Sequence, residues 1–226
     1  MEIIYEDNHI VVVIKPFNMP VQEDESKDQD LLSEIKAYIK EKYNKSGQAF
    51  IGLVHRLDRP TGGVMVFARN SKAAARLSKQ FESHEVEKTY YAVVKGKLRK
   101  KKARLENYLK KEPSLNKVVL AAMAEKEAKH AVLDYEVIAE EKDLSLVKVN
   151  LETGRSHQIR VQLAGIGNPV YGDAKYGNPE SKTAKTQNLA LWAGELSFRH
   201  PTQDMVLTFK VNPPEDKYPF NLFKFE

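Results

Sequence analysis

Three short stretches of this 226-residue chain carry the side chains best suited to chemistry. The first is His55-Arg56-Leu57-Asp58-Arg59-Pro60-Thr61-Gly62-Gly63, polar, charged and turn-forming, yet set between the apolar runs Phe50–Val54 and Val64–Ala68. A loop with both ends tied to core strands is a common place for catalysis, because the scaffold fixes what the loop presents. Asp58 is its one carboxylate, and a carboxylate can act as nucleophile or general base. An aspartate in such a loop can also do no more than cap a turn. The second stretch is Glu87-Lys88-Thr89-Tyr90-Tyr91-Ala92, and the third is Thr153-Gly154-Arg155-Ser156-His157-Gln158-Ile159-Arg160-Val161, with Gly172-Asp173 after it. The chain has no cysteine, which excludes thiol nucleophiles, disulfides and cysteine-ligated metals. Its six histidines show no HExxH spacing, so no zinc site is expected.

The elements that must position these residues are legible from pattern. Ile3–Tyr5 and Ile10–Ile14 read as strands around an Asp7–Asn8 turn, and Lys15-Pro16 ends the second. Leu31, Ile35, Tyr38 and Ile39 fall at helical spacing, which predicts a helix over Leu31–Tyr43. Phe50–Val54 and Val64–Ala68 read as buried strands. Ser71 is placed to cap a helix running to about Ser83, with Ala74, Leu77 and Phe81 inward.

Alternation predicts a strand over Glu87–Val94, with Lys88 and Tyr90 on one face. Lysine is a poor companion for a closed core, so that face is expected to border a polar pocket. Further strands are expected at Arg104–Leu109, Lys129–Ala139, Leu144–Leu151, Leu189–Phe198 and Met205–Val211. Ser156 is placed to cap a short helix through Leu163, buried along Ile159, Leu163 and Ile166. His157 and Arg160, three apart, would share its face. Pro169 to Pro179 reads as a punctuated loop, and the tail after Pro213 as loosely packed. Strands outnumber helices without regular βαβ alternation. The expected class is therefore α+β: a central mixed, mainly antiparallel sheet flanked by helices and loops, in a single domain over residues 1–226.

Composition sets the outer bounds. Hydrophobic residues make up 42% and charged residues 30%, an ordinary globular mixture. No apolar run is long enough to cross a bilayer, and the acidic start from Met1 to Asp7 does not resemble a secretory signal. The expected location is cytoplasmic. Net charge is +5, but nine lysines or arginines and one acid, Glu106, fall between Lys95 and Lys111. Such a cluster attracts phosphate, or simply solvates a loop.

The three stretches, in this order and spacing, resemble the RluA-type pseudouridine synthases, which isomerise uridine in ribosomal or transfer RNA. The resemblance covers nearly the whole chain, from the Ile3 strand to the Met205 strand. Three positions depart from the usual pattern: Gly62 stands where serine is common, Gln162 where histidine is, and Ile14 where asparagine precedes Lys-Pro. The S4-like RNA-binding domain that many relatives carry ahead of the catalytic domain is not expected, since the first strand begins near Met1.

The resemblance implies a reaction that breaks the C1′–N1 bond of uridine, turns the base and rejoins it through C5. It has no redox step and no group donor, so no cofactor is implied. Asp58 matches the catalytic aspartate. Arg160 matches the motif arginine, a cation that would keep that carboxylate ionised and oriented. Tyr90 matches the active-site tyrosine, able to stack on uracil and help remove the C5 proton. Arg56 matches an arginine that fills the space of a flipped base. Lys88, Arg155, His157, Lys100, Lys101 and Lys102 complete the expected RNA contacts, with His55 and His157 structural rather than catalytic. RNA is the expected partner of a monomer that needs no other protein. The competing readings are a catalytically inactive RNA-binding module and a metal-dependent nuclease using Asp58, His55 and Asp173.

Overall fold

The structure, a computed structural model, describes residues 1–44, 46–177 and 188–225. The chain groups into two compact units, the first made of residues 1–87 and 195–211, the second of residues 88–194 and 212–226.

The first unit is a small antiparallel sheet with two helices. Strand β1 (Glu2–Glu6) pairs with β2 (Ile10–Lys15). Strand β2 pairs along its other edge with β4 (Gly62–Ala68), which also takes the two-residue β3 (Gly52–Leu53). Helix α1 (Leu31–Lys42) starts at Asp30, whose carboxylate accepts from Ser33 N–H, and it buries Leu31, Ile35 and Ile39. Helix α2 (Ser71–Glu82) buries Ala73, Leu77 and Gln80. In this unit Ile10, Val12, Val64, Val66 and Leu77 form one apolar cluster with Leu196 and Phe198. Those last two lie in the final part of β10 (Leu191–Arg199), which pairs with β11 (Val206–Lys210).

The second unit is an antiparallel sheet in the order β5-β9-β8-β6-β7, from β5 (Glu87–Lys95), β6 (Lys102–Glu112), β7 (Lys117–Ala121), β8 (Lys129–Glu141) and β9 (Leu144–Leu151). Helix α3 (Gln158–Gly165) packs on it through Val161, which joins Leu109, Val118 and Ala131 in an apolar cluster. The class is α+β with a mainly antiparallel sheet, as the excess of strands over helices without regular βαβ alternation implied.

Several local expectations are corrected. The cap of α2 is Asn70, not Ser71: Asn70 is extended and its side chain accepts from Ala73 N–H at 2.9 Å. The buried stripe moves one residue with it, leaving Ala74 and Phe81 only partly covered. Ser156 does not cap α3; His157 stands at its start in the left-handed region, φ 53°, with no side-chain cap bond. Ile166 lies beyond the helix and is exposed, as is Phe50, which precedes the short β3. Strand β7 was missed, because its two valines and one leucine sit at the margin of the sheet without clean alternation. The tail is not loose: Phe220 and Phe223 are buried, and Phe225 meets Tyr91 edge-on. Pro179, the expected end of the punctuated loop, lies outside the described residues.

Candidate active site

In the first unit the loop around Asp58 is held from both sides. Upstream, His55 stacks on Phe81 with ring centroids 4.5 Å apart, and its Nε2 accepts from Val66 N–H of β4 at 3.1 Å. Leu57 is buried beside it. His55 thus ties the loop down, in keeping with a structural rather than catalytic histidine. Downstream, Thr61 N–H donates to the Asp58 carbonyl at 2.9 Å, closing a tight turn.

A residue that pattern reading passed over completes this clasp. Lys15, at the end of β2, is fully buried. Its ammonium donates to the carbonyls of Pro16 at 2.9 Å, Arg59 at 2.9 Å and Thr61 at 2.7 Å. An ammonium has three donors, so all are used, and two fix the turn that follows Asp58. Burial pushes Lys15 down to about 7, against the pull of the Asp58 charge. The available signal was a lysine directly after five apolar residues and before Pro16, a place where a cation has to be buried or end the strand.

Between these clamps Asp58 is half-buried and Arg56 is exposed. Arg59 leans away toward another loop, paired with Asp28 and hydrogen-bonded to Ser26 at 2.9 Å. The loop therefore leaves Asp58 partly exposed between two held residues, Leu57 buried before it and Arg59 ion-paired after it.

In the second unit Tyr90 is half-buried on β5, opposite Val149 of β9. Lys88, on the same face, is also half-buried, and burial lowers its ammonium below the ordinary lysine range. The strand then enters the core at Ala92 and Val94. Alternation alone puts Lys88 and Tyr90 together at the less covered end of that face.

The loop into α3 is locked by two buried polar residues. Thr153 Oγ1 accepts from Val132 N–H at 2.8 Å and donates to Gln158 Oε1 at 2.8 Å. Gln158 also accepts from Arg155 N–H and donates to the Val132 carbonyl. Gln162, one of the departures from the family pattern, donates to Asn107 Oδ1 at 2.7 Å and so ties α3 to β6. Arg155 is half-buried, its Nε donating to the His130 carbonyl at 2.8 Å.

This frame aims Arg160, which is 6% exposed. Asp173 is the carboxylate that takes two of its donors, Nε to Oδ2 at 2.7 Å and Nη2 to Oδ1 at 2.8 Å, a partner the sequence reading had not assigned. Such a two-point pair fixes the plane of the guanidinium as well as its charge. Asp173 Oδ1 also accepts from the N–H groups of Lys175 and Tyr176. Burial pushes the Asp173 carboxyl up, but Arg160 and those two donors outweigh it and hold the group below the usual carboxylate range. The bend before Asp173 needs glycine: Gly172 has φ +75°, and a Cβ there would come within 2.4 Å of the Asn188 carbonyl oxygen. The Tyr176 ring lies 5.1 Å from the Arg160 guanidinium. Its hydroxyl accepts from Val118 N–H at 2.9 Å and meets His157 Nδ1 at 2.6 Å. His157 and Arg160 thus converge on one tyrosine, though not by helix spacing, since His157 precedes the helix.

Two of the three residues that the nuclease reading names are otherwise engaged. His55 spends Nε2 on Val66, and both Asp173 oxygens are taken by Arg160 and backbone donors. Among the described residues no three His, Cys, Asp or Glu side chains gather as a metal site would require.

The basic segment is more neutralised than its composition suggests. Residues 96–101 form a loop, while Lys102 and Arg104 already belong to β6, so the six cations do not crowd a hairpin tip. Lys101 pairs with Glu140 at 2.6 Å and Lys102 with Glu136, its cross-strand neighbour, at 2.8 Å. Arg104 pairs with Asp134 and Glu152. Lys100 has no ion pair among the described residues.

Comparison with known proteins places these features in context. A family model described as RNA pseudouridylate synthase matches residues 9–165. The ribosomal large subunit pseudouridine synthase D of Zymomonas mobilis is 33% identical over 227 residues, covering 96% of this chain and 70% of its own length. The tRNA pseudouridine synthase C of Vibrio cholerae is 32% identical over 235 residues, covering 95% and 92%. Among solved structures, human RNA pseudouridylate synthase domain containing 4 superposes with a TM-score of 0.79 at 24% identity, over 94% of this chain and 88% of the other. At that identity the likeness is one of fold. No helix among the described residues is long and apolar enough to cross a membrane.

Proposed function

Since the chain belongs to the RNA pseudouridylate synthase family, whose members are isomerases, we propose that it converts uridines of structured ribosomal or transfer RNA to pseudouridine, with Asp58 as the catalytic carboxylate. The observation that carries this reading is the clasp around Asp58. A buried ammonium and a stacked histidine hold the loop on either side, and the one carboxylate left half-exposed between them is Asp58. Holding a reacting group still before the substrate arrives is what turns a loop aspartate into a catalyst. The residues 1–226 act as one catalytic domain, as a monomer that needs no partner but RNA.

The roles divide by chemistry. Asp58 meets the uridine at the sugar or the base and allows the C1′–N1 bond to break. Arg160, its plane set by Asp173, supplies fixed positive charge where negative charge develops. Tyr90 stacks on the uracil and its hydroxyl handles the proton lost from C5. Arg56 fills the space the flipped base leaves, and Lys88, Arg155, His157 and Lys100 contact the RNA backbone, whereas Lys101 and Lys102, held by Glu140 and Glu136, reach it only where RNA displaces those acids.

Tritium release from RNA made with 5-tritiated uridine tests the reading, since replacing N1 by C5 on the sugar expels the C5 hydrogen. Asp58→Asn is nearly isosteric and should abolish release while RNA binding persists. Turnover above about a hundredth of wild type would exceed what a key acid, base or nucleophile leaves behind, and would remove Asp58 from the role. Tyr90→Phe keeps the ring and removes the hydroxyl; turnover should fall with RNA affinity unchanged. No release from the wild-type chain on either ribosomal or transfer RNA would favour an inactive RNA-binding module.

A further inference from the structure

Beyond the uridine site, the second unit contains a cavity of about 450 Å³. Its floor is apolar, formed by the buried Leu109 and Val118, and its rim carries Lys111, Lys129 and Arg155 against a single acid, Glu127. The register explains the arrangement. Lys111 lies two residues from Leu109 on one face of β6, opposite Val118 of β7, and Lys129 of β8 lies opposite Leu109. The two lysines are thus diagonal neighbours, roughly 7–8 Å apart at their backbones, with Leu109 between them. Among the described residues neither lysine is in an ion pair. This differs from the Lys101 and Lys102 segment, where cross-strand acids answer the charge.

We propose that this cavity is a nucleotide subsite, which takes a single-stranded nucleotide flanking the target uridine, its base on the Leu109–Val118 floor and its phosphates on Lys111, Lys129 and Arg155. The proposal rests on the reading of the chain as an RNA isomerase and adds a docking point to it. Cations alone would hold any polyanion, and an apolar floor alone any greasy group; a nucleotide needs both within a few ångströms, in a space of a few hundred cubic ångströms. The place also matters. Arg155 lies in the loop that leads into α3, three residues before the first full turn that carries Arg160. Val118 N–H donates to the Tyr176 hydroxyl, and Tyr176 packs under the Arg160 guanidinium. A nucleotide bound in the cavity therefore leans on the same frame that orients Arg160.

The test uses the full chain and a 12-nucleotide single-stranded RNA of mixed sequence carrying 4-thiouridine. After irradiation, crosslinks should map to peptides containing residues 109–118 and 154–156. In Lys111→Gln/Lys129→Gln those crosslinks should fade. Affinity at 0.15 M salt should fall roughly tenfold, and the log–log salt slope should flatten by about 1.4, from two phosphate contacts at about 0.7 each. The control Lys40→Gln/Lys79→Gln removes the same charge from exposed helix positions outside the cavity and should leave the slope unchanged. Absence of crosslinks at the cavity, an unaltered slope in the first variant, or equal flattening in the control would each overturn the subsite. Tritium release separates this from the broader reading. Release from ribosomal or transfer RNA without cavity crosslinks leaves the isomerase standing and the subsite refuted; cavity crosslinks without release from either RNA refute the isomerase, and with it a subsite beside a target uridine, and leave only a single-stranded RNA site.

Discussion

Replacing Lys15 with methionine should loosen the Asp58 loop and cost the fold a measurable, pH-dependent amount. The side chain keeps its length and loses its ammonium, so the carbonyls of Pro16, Arg59 and Thr61 lose their shared donor in a place where the lysine was fully buried. An orphaned buried acceptor costs about 1–3 kcal/mol. Relief from burying a cation offsets part of the total for three, which leaves a net loss of about 3 kcal/mol at pH 6, where wild-type Lys15 is protonated in both states. The pH dependence follows from the lowered folded value. The unfolded chain holds this proton up to 10.5, and the folded chain releases it near 7. Unfolding therefore takes up a proton between those values, and the wild-type fold gains stability from Lys15 as pH rises through that window. Methionine carries no titrating proton, so the gap between the two proteins should widen by about 2–3 kcal/mol from pH 6 to pH 9. Urea denaturation followed by circular dichroism at both pH values measures it. A gap under about 1 kcal/mol at pH 6 would show that the carbonyls find other donors. A gap that stays constant or narrows toward pH 9 would refute the shifted proton.

Two further outcomes test the second unit. Asp173→Asn leaves the Arg160 guanidinium buried beside a neutral group, and should cost about 3–5 kcal/mol in urea denaturation as well as turnover. Because the folded Asp173 carboxyl is held below its ordinary value, its contribution is present above about pH 4 and is lost as pH falls through the lowered value; the variant should therefore show a shallower loss of stability in acid. Changing Lys100, Lys101 and Lys102 together to glutamine should flatten the salt dependence of RNA binding by no more than one phosphate contact, about 0.7–0.9 in the log–log slope, because Glu140 and Glu136 already answer two of the three charges. A change of about 2 would show that RNA displaces those acids, and turnover at saturating RNA should not move in either case.

Most of the frame was legible in the chain itself. Helical spacing located α1 and α2 to within a residue or two, and alternation located β5, β8 and β9, because a half-buried helix or strand writes its period into its own residues. The three polar stretches carried the resemblance to the family, and that resemblance, not periodicity, singled out Asp58, Tyr90 and Arg160 as the proposed site residues. Where competing local signals were close, tertiary context chose: Asn70 over Ser71 as a cap, and a left-handed His157 over Ser156. What no local pattern could supply was the choice of partner. Lys15 is answered by carbonyls 44 and 46 residues away, Arg160 by a carboxylate 13 away, and the amide of Val118 by a tyrosine 58 away. Nor could the sequence place Lys111 and Lys129 on either side of Leu109, since that depends on the register of three strands. Periodicity is a property of neighbours along the chain; hydrogen-bond pairing, charge neutralisation and the walls of a cavity are set by which distant segments the packed fold brings within about 3 Å of one another.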